Sequence, residues 1–238
     1  MSVEATDFYT SRIRRLLKDF DSYVRATHPV LLKYFGGDVD GVVAQTRREY
    51  AALIPQLPYI GGKQPFTQFL IFTGLWLAVY RTAQANGKSV EETGQMIFEI
   101  GRAFLRAYPG FLTSFLGYMN FSGFHIKRLR KRANESQLRM YPGDYVFNFV
   151  EGDGQTFDYG VDYLECASCK FLQQQGAAEL APYLCPMDIL YSEALGWGLT
   201  RTTTLAGGGE RCDFRFKKGG PTRVAVPRAL ECVISGSG

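Results

Sequence analysis

The chain has 238 residues, 46% hydrophobic and 21% charged, which is the composition of a folded globular protein rather than a disordered one. Its formal net charge of +4 is too small to indicate a nucleic-acid partner by itself. The polar N-terminal stretch MSVEATDFYT shows no secretory signal, and a chain of this length can bury a core without disulfides. We therefore predict a cytoplasmic protein whose five cysteines are reduced.

The first half of the chain shows apolar residues at helical spacing. Residues 7–26 are predicted to form a helix that ends before Pro29, because the residue preceding a proline disfavours the α conformation. Residues 39–54 form a second predicted helix, which Pro55 ends.

The most apolar run of the chain, Phe66 to Tyr80, is predicted to be a buried helix of a bundle. It is shorter than the ~18–20 apolar residues of a membrane span, so no membrane partner is predicted. The next helix is predicted to begin at Ser89, with Glu92 completing a capping box, and to end near Tyr108 before a Pro-Gly pair.

A basic run, HIKRLRKRANESQLR, follows at residues 125–139. Its charges are distributed around the predicted helix rather than along one stripe, and acidic residues elsewhere nearly balance them. We interpret it as a solvated helix that leads out of the bundle and predict no nucleic-acid partner. The alternative is a surface that faces phosphate groups or another anionic surface.

From about residue 138 the pattern changes to strand-like alternation. Residues 145–150 and 156–164 flank a Gly-Asp-Gly turn signal, which predicts a β-hairpin. The later predicted elements are a short helix at 166–176, a helical stretch at 178–194, and strands at 199–206 and 211–217 that are joined by the glycines 207–209.

These elements predict an α+β fold, in which a helical N-terminal region is followed by an antiparallel sheet with short helices. We expect a helical region at 1–137, an α+β region at 138–218 and a partly disordered, Gly- and Ser-ending tail at 219–238. The pattern leaves open whether the first two regions share one core or form two domains.

Four of the five cysteines lie close together in the last third of the chain, at Cys166, Cys169, Cys185 and Cys212. The first two form a C-x-x-C, but the others are isolated, which is not the paired spacing of a structural zinc site. We predict no metal and no cofactor, with a four-thiolate zinc site as an alternative. A thioredoxin-like redox role is disfavoured because the neighbouring strands look antiparallel.

Histidine chemistry is not expected at these cysteines. The two histidines, His28 and His125, both lie in the helical half, whereas a Ser-His-Asp triad or a His-rich zinc site needs one beside the reacting groups. His125 would have to reach the cysteines through the fold, and we interpret it as a surface residue instead.

An ordered set of residues in this region resembles a known family. The pattern C…G-x-x-EL…C-x-x-D…R-x-x-TLA-x-G…CDF runs over about residues 140–217 and resembles the L-2-amino-thiazoline-4-carboxylic acid hydrolase family. The matching residues are Cys169, Gly176, Glu179, Leu180, Cys185, Asp188, Arg201, Thr204, Leu205, Ala206, Gly208, Cys212, Asp213 and Phe214. Cys166 and Cys232 fall outside this pattern, and we assign them no role.

The resemblance implies hydrolysis of a cyclic isothiourea to an N-carbamoyl cysteine. The substrate carboxylate would be bound by Arg201, and the positively charged amidine by Asp188 or Asp213. Cys169 is a further implied substrate-binding position. No metal is implied.

A cysteine thiolate is the implied nucleophile. Cys185 is the first candidate, because Asp188 follows it at i+3, and Cys212 is the second. Alternatively, Asp188 acts as general base for direct attack by water. Strand alternation places Cys212 and Asp213 on opposite faces, so at most one of them is expected to line a pocket.

We therefore predict a hydrolase that acts on a small-molecule substrate such as an aminothiazoline carboxylate. The sequence is also compatible with a homo-oligomer. Two other functions remain open: a non-catalytic small-molecule-binding or sensory module, and a biosynthetic enzyme that catalyses cyclisation or condensation. A purely structural reading also remains, in which the cysteines fill a core and Asp188 bonds Arg201 to pin a helix to the sheet.

Overall fold

The structure is a computed structural model that describes residues 8–62 and 64–235. A helical N-terminal region is followed by a five-stranded sheet with short helices, so the predicted α+β fold is confirmed. The helices are α1 (Ile13–Phe35), α2 (Val39–Leu53), α3 (Pro65–Ala85), α4 (Val90–Arg106), α5 (Gly110–Asn120), α6 (Gly123–Ser136), α7 (Ala167–Gln174), α8 (Ala181–Leu184), α9 (Met187–Leu195) and α10 (Arg228–Ser235). The strands are β1 (Val146–Glu151), β2 (Tyr159–Glu165), β3 (Leu199–Arg201), β4 (Cys212–Phe216) and β5 (Arg223–Val224).

Helix α1 continues through Pro29, so the predicted break before this residue is wrong. A proline in a helix interior removes one backbone hydrogen bond and costs about 3 kcal/mol. Thr27 and Leu31 are buried on either side of the exposed Pro29, and their packing offsets this cost. The expected start of the helix at residue 7 lies outside the described residues.

The next three helices confirm the sequence predictions. Helix α2 ends two residues before Pro55, and α3 lies in the middle of the bundle with most of its side chains buried. The capping box of α4 is present: Ser89 Oγ accepts from the Glu92 N–H at 3.2 Å, and a Glu92 carboxylate oxygen accepts from the Ser89 N–H at 2.9 Å. In the part of the chain that the structure describes, no helix combines the length and apolarity needed to cross a membrane.

Helix α6 contains the basic run and is held against the β1–β2 hairpin by ion pairs. Arg130 pairs with Glu151 at 2.6 Å, and Arg132 pairs with the buried carboxylate of Asp144. Helix α5, which precedes it, was not predicted: its short sequence GFLTSFLGYMN follows Pro109 and has no capping side chain to mark its start.

The strand order is β1-β2-β4-β3-β5, and all neighbours are antiparallel except β3 and β5, which are parallel. Strand β3 is shorter than predicted, because after Arg201 the chain turns through a 3₁₀ segment, Leu205–Gly207, that the Thr204 side chain caps. The tail contains two elements that were not predicted, β5 and α10. The final Gly-Ser-Gly, where disorder was expected, lies outside the described residues.

One continuous hydrophobic core contains residues from both halves of the chain. Leu70 and Leu77 of α3 are fully buried in the same cluster as Phe147 of β1 and Phe171 of α7. The Phe66 ring lies 5.3 Å from the Phe147 ring across this junction. Helix α3 is therefore positioned against the sheet, while the division of the chain into domains near residue 137 stays a prediction.

Candidate functional site

A cavity of about 240 Å³ lies between α3 and the sheet, and we call it the central cavity. Both halves of the chain line it, and aromatic residues are the largest group among its lining residues. The α3 wall contains Phe66, Phe69, Phe72, Thr73 and Trp76. The facing wall contains Tyr145, Tyr163, Tyr191, Trp197, Phe214 and Phe216. Flat, apolar walls of this kind suit a planar ring.

The thiols and the charged groups of the central cavity come from three places in the sheet half of the chain. Cys166 and Cys169 lie at the start of α7, Cys185 and Asp188 lie at the junction of α8 and α9, and Arg201 and Cys212 lie on adjacent strands. The structure thus brings together five of the six predicted site residues, which are Cys169, Cys185, Asp188, Arg201 and Cys212.

Arg201 is the largest buried polar side chain of this set, with only 1% of its side chain exposed. Its Nη1 donates to a carboxylate oxygen of Asp188 and, at 3.2 Å, to the carbonyl oxygen of Cys185. Its Nε and Nη2 are buried without a hydrogen-bond partner among the described residues. Since an unpaired buried donor is costly, this free edge of the guanidinium is suited to an anionic ligand in the cavity.

Asp188 lies in the first turn of α9, where the helix dipole favours a carboxylate. Burial raises the pKa of Asp188 to about 6, and the neighbouring Arg201 guanidinium limits the rise. The side chain keeps 29% of its surface exposed, because it faces the cavity. A carboxyl with this pKa can accept a proton near neutral pH.

The two thiols that the sequence favoured as nucleophiles have environments that disfavour the thiolate. Burial raises the pKa of Cys185 well above its usual value, even though Arg201 acts in the opposite direction. Burial also raises the pKa of Cys212 to about 11, although its sulfur accepts a hydrogen bond from the Leu205 N–H at 3.2 Å. Both residues line the cavity as predicted.

Cys166, to which the sequence analysis assigned no role, is the cavity thiol whose pKa is lowered. The hydrogen bond with the Cys169 thiol lowers the pKa of Cys166, the backbone N–H groups of Cys169 and Ser168 act in the same direction, and burial opposes them. The same hydrogen bond and burial raise the pKa of Cys169. Cys166 directly precedes α7, so the C-x-x-C opens a helix after strand β2. This placement is typical of reactive thiols.

A hydrogen-bonded cluster holds the start of α7 in place. Ser168 Oγ lies 2.7 Å from Thr73 Oγ1 of α3 and 2.9 Å from the Tyr145 hydroxyl next to β1. Ser168 lies between Cys166 and Cys169 in the sequence, so these bonds fix both thiols relative to the α3 wall.

Two other candidates lie outside the central cavity. The carboxylate of Asp213 accepts hydrogen bonds from the N–H groups of Thr202 and Thr203, at 2.9 and 2.7 Å, and therefore fixes the loop after β3. Its position does not support the predicted substrate-binding role, and Cys212 alone of this pair lines the cavity, as alternation indicates. His125 lies on α6 beside the Tyr159 ring and does not reach the cysteines.

No group of three or more His, Cys, Asp or Glu side chains in residues 8–62 and 64–235 is arranged to hold a metal ion. The structure therefore gives no support to the zinc alternative for the described cysteines, all five of which are free thiols.

Cys166 and Trp197 are among the polar groups of the cavity that sequence reasoning missed. Cys166 was left out because the family pattern begins at Cys169, although its place before a helix that follows a strand was a usable signal. Trp197 has a buried Nε1–H without a partner in the described part of the chain, and no motif points to it.

Comparison with protein families found a matching family model. The family model for L-2-amino-thiazoline-4-carboxylic acid hydrolase matches residues 68–216, from within α3 to the end of β4. The match covers more than half of the chain and includes most of the α3 wall, so it extends well beyond the region in which the sequence showed the resemblance. Comparison with curated proteins found no match, and comparison with solved structures found none either. The chain belongs to the L-2-amino-thiazoline-4-carboxylic acid hydrolase family.

Proposed function

We propose that this protein hydrolyses a small cyclic amidine that bears a carboxylate, such as an aminothiazoline carboxylate, in the central cavity. The free Nε–Nη2 edge of the buried Arg201, next to the Asp188 carboxylate, is the observation on which the proposal rests. Family membership supports hydrolysis as the class of reaction.

Substrate binding follows from the two charges of the cavity. The substrate carboxylate accepts two parallel hydrogen bonds from Nε and Nη2 of Arg201, whose Nη1 is already used by Asp188 and Cys185. The protonated amidine carries the opposite charge, and it is stabilised by the Asp188 carboxylate and by the faces of the surrounding aromatic rings.

We assign the nucleophile to Cys166 rather than to Cys185. Both thiols line the cavity, but the start of α7 and the Cys169 thiol lower the pKa of Cys166, whereas burial raises the pKa of Cys185. The thiolate, not the thiol, is the attacking species, so a larger fraction of Cys166 is reactive at neutral pH.

The reaction proceeds in two steps at the amidine carbon. The Cys166 thiolate attacks this carbon, the carbon–sulfur bond of the ring breaks, and the ring sulfur leaves as a thiol with the proton that Cys166 has lost. Water then attacks the same carbon, Asp188 accepts its proton, and the Cys166 sulfur departs and is reprotonated. The product is an N-carbamoyl amino acid with a free thiol.

The proposal is tested with the aminothiazoline acid and a matched pair of variants, Cys166→Ser and Cys185→Ser. We expect the wild type to open the ring, as followed by NMR. Cys166→Ser should lose at least about a hundredfold in kcat, and Cys185→Ser should stay within a fewfold of the wild type. Intact-mass spectrometry of rapidly quenched wild type should show an adduct that adds the mass of the whole substrate.

Each negative outcome removes a defined part of the proposal. Binding of the acid without ring opening contradicts the hydrolase function for this substrate. Full activity of Cys166→Ser contradicts the covalent route and points to water activated by Asp188. Loss of activity in Cys185→Ser alone returns the nucleophile to the residue that the sequence favoured.

A further inference from the structure

Helix α5 is apolar and yet almost completely exposed. All 11 of its residues are described, none is charged, and Gly117 is the single buried one. Three of its aromatic side chains stand far out of the surface, with 79% of Phe111, 59% of Phe115 and 61% of Tyr118 exposed. Soluble proteins rarely leave large apolar side chains grouped in this way without a partner.

The exposed rings form one stripe. Phe111, Phe115 and Tyr118 are spaced at i, i+4 and i+7, which places them on the same side of the helix. Phe124, 65% exposed, adds a fourth exposed ring at the start of the next helix, α6. We call these four residues the aromatic stripe.

The stripe is turned away from the protein by tight packing on the other side of the helix. Gly117 lies directly against α9, where a Cβ atom at this position would come within 2.0 Å of the Leu195 carbonyl oxygen. Helix α5 is therefore seated on α9 through its one buried residue, and it cannot rotate to bury the rings without losing this contact.

Arg130, Lys131 and Arg132 of α6 are paired with carboxylates, and the charges beside the stripe that lack such a partner in the described residues are positive. Residues 100–134 contain seven Lys and Arg and no Asp or Glu. Lys127 and Arg128 are exposed and form no ion pair with a carboxylate of the described residues. The Arg128 guanidinium lies 5.5 Å from the centre of the Phe124 ring, and the Lys218 ammonium lies 4.8 Å from the centre of the Tyr118 ring.

We propose that the aromatic stripe, together with Lys127, Arg128 and Lys218, binds an anionic lipid surface, with the rings inserted below the headgroups and these cations at the phosphates. Aromatic side chains beside Lys and Arg are the features of helices that lie in the membrane interface. A second copy of the chain is disfavoured as occupant, because it would bring the same uncompensated positive charge to the interface.

This surface function is separate from the proposed hydrolysis, because none of the four ring residues lines the central cavity. A helix that lies in the membrane interface does not cross the bilayer, so this binding mode differs from the membrane span that the sequence argues against. The argument against a membrane span concerns residues 66–80 and does not apply to this face.

The test is sedimentation of the full-length protein with vesicles of phosphatidylcholine, or of equal parts phosphatidylcholine and phosphatidylglycerol. We expect wild type to bind the anionic vesicles, to bind the neutral ones at least about tenfold more weakly, and to dissociate as salt is raised. Phe111→Ser/Phe115→Ser and Lys127→Gln/Arg128→Gln should each weaken binding to anionic vesicles by about tenfold or more.

Matched controls remove the same kinds of group from α1. Leu32→Ser removes an exposed apolar side chain, and Arg14→Gln/Arg15→Gln removes two exposed charges, and both should bind like the wild type. Absence of binding to anionic vesicles overturns the proposal, as does equal binding to neutral ones. A concentration-dependent dimer that Phe111→Ser/Phe115→Ser abolishes, with no vesicle binding, assigns the stripe to a second copy instead.

Discussion

At the scale of single residues, we propose that Arg201 determines which anion the central cavity binds, because one edge of its guanidinium is paired and the other has no partner in the described residues. We expect Arg201→Lys to raise KM for a carboxylate substrate by about tenfold to a hundredfold, with a smaller effect on kcat, since an ammonium cannot make two parallel hydrogen bonds. Arg215→Lys, which affects an ion pair with Asp162 outside the cavity, should leave KM unchanged. Equal KM values for both variants would argue against carboxylate binding by Arg201.

The Asp188 carboxyl makes a testable contribution to stability. Burial raises its pKa in the folded protein from 3.8 to about 6, so the folded state holds this proton more tightly than the unfolded state. Its contribution is therefore fully present below about pH 4 and is lost as pH rises through about 6. Between about pH 4.5 and about pH 7, wild type should lose free energy of unfolding relative to Asp188→Asn, as measured by urea titration.

Asp213→Asn is the control for this prediction. The contribution of Asp213 to the free energy of unfolding is expected to change with pH in the opposite direction. The Asp213 carboxylate accepts hydrogen bonds from the Thr202 side chain and from backbone N–H groups, and the pKa of Asp213 is lowered as a net result, although burial opposes the change. The contribution of Asp213 to stability is therefore present at pH values above the ordinary pKa of an aspartate and is lost as pH falls. A wild type that gains stability relative to Asp188→Asn on raising pH would contradict the assigned pKa direction.

The candidate residues differ in how far sequence could identify them. Cys185, Asp188 and Arg201 were located because an ordered motif contains them, and the Cys212–Asp213 alternation follows from the period of a strand. Cys166 could not be ranked above Cys185 without the fold, because its pKa depends on a helix start and on a neighbouring thiol.

At the scale of elements, the contact between α5 and α9 depends on one glycine. We expect Gly117→Ala to lower the free energy of unfolding by about 1–3 kcal/mol, because the new methyl group would collide with the Leu195 carbonyl oxygen. Gly123→Ala is the matched control, since a Cβ at Gly123 meets nothing within 4 Å. Urea unfolding of both variants measures the difference, and equal stabilities would show that α5 moves away without cost.

Helices were predictable where an amphipathic period or a cap was present. The capping box of α4 follows from four residues of sequence, whereas the continuation of α1 through Pro29 depends on Thr27 and Leu31 being buried by other helices. Helix α5 has no capping side chain, and β5 has two residues that pair only because β3 is beside them.

At the scale of the whole molecule, the two halves of the chain meet around the central cavity. The chain has two tryptophans, and both line the central cavity: Trp76 on the α3 wall and Trp197 on the facing wall. We expect the aminothiazoline acid to change the fluorescence of both, as measured with Trp76→Phe and Trp197→Phe in a Cys166→Ser background that prevents turnover. A response from Trp197 alone would show that α3 does not contact the ligand.

The shared cavity was the part of the architecture that sequence could not supply. The helical half and the sheet half were each predicted from local pattern, but their contact depends on side chains such as Phe66 and Phe147, which no period relates to one another.

The bond between Thr73 and Ser168 has a consequence for synthesis of the chain, because the two residues are 95 positions apart. A nascent chain completes α3 long before its sheet partners exist, and pairing across such a separation is slow to form. During that interval Phe66 of α3 lacks Tyr145, Phe147 and Tyr163, whose rings surround it in the folded protein, and exposed apolar surface of this kind promotes aggregation. We therefore expect yield during translation, rather than equilibrium stability, to be most sensitive to changes in the α3 wall.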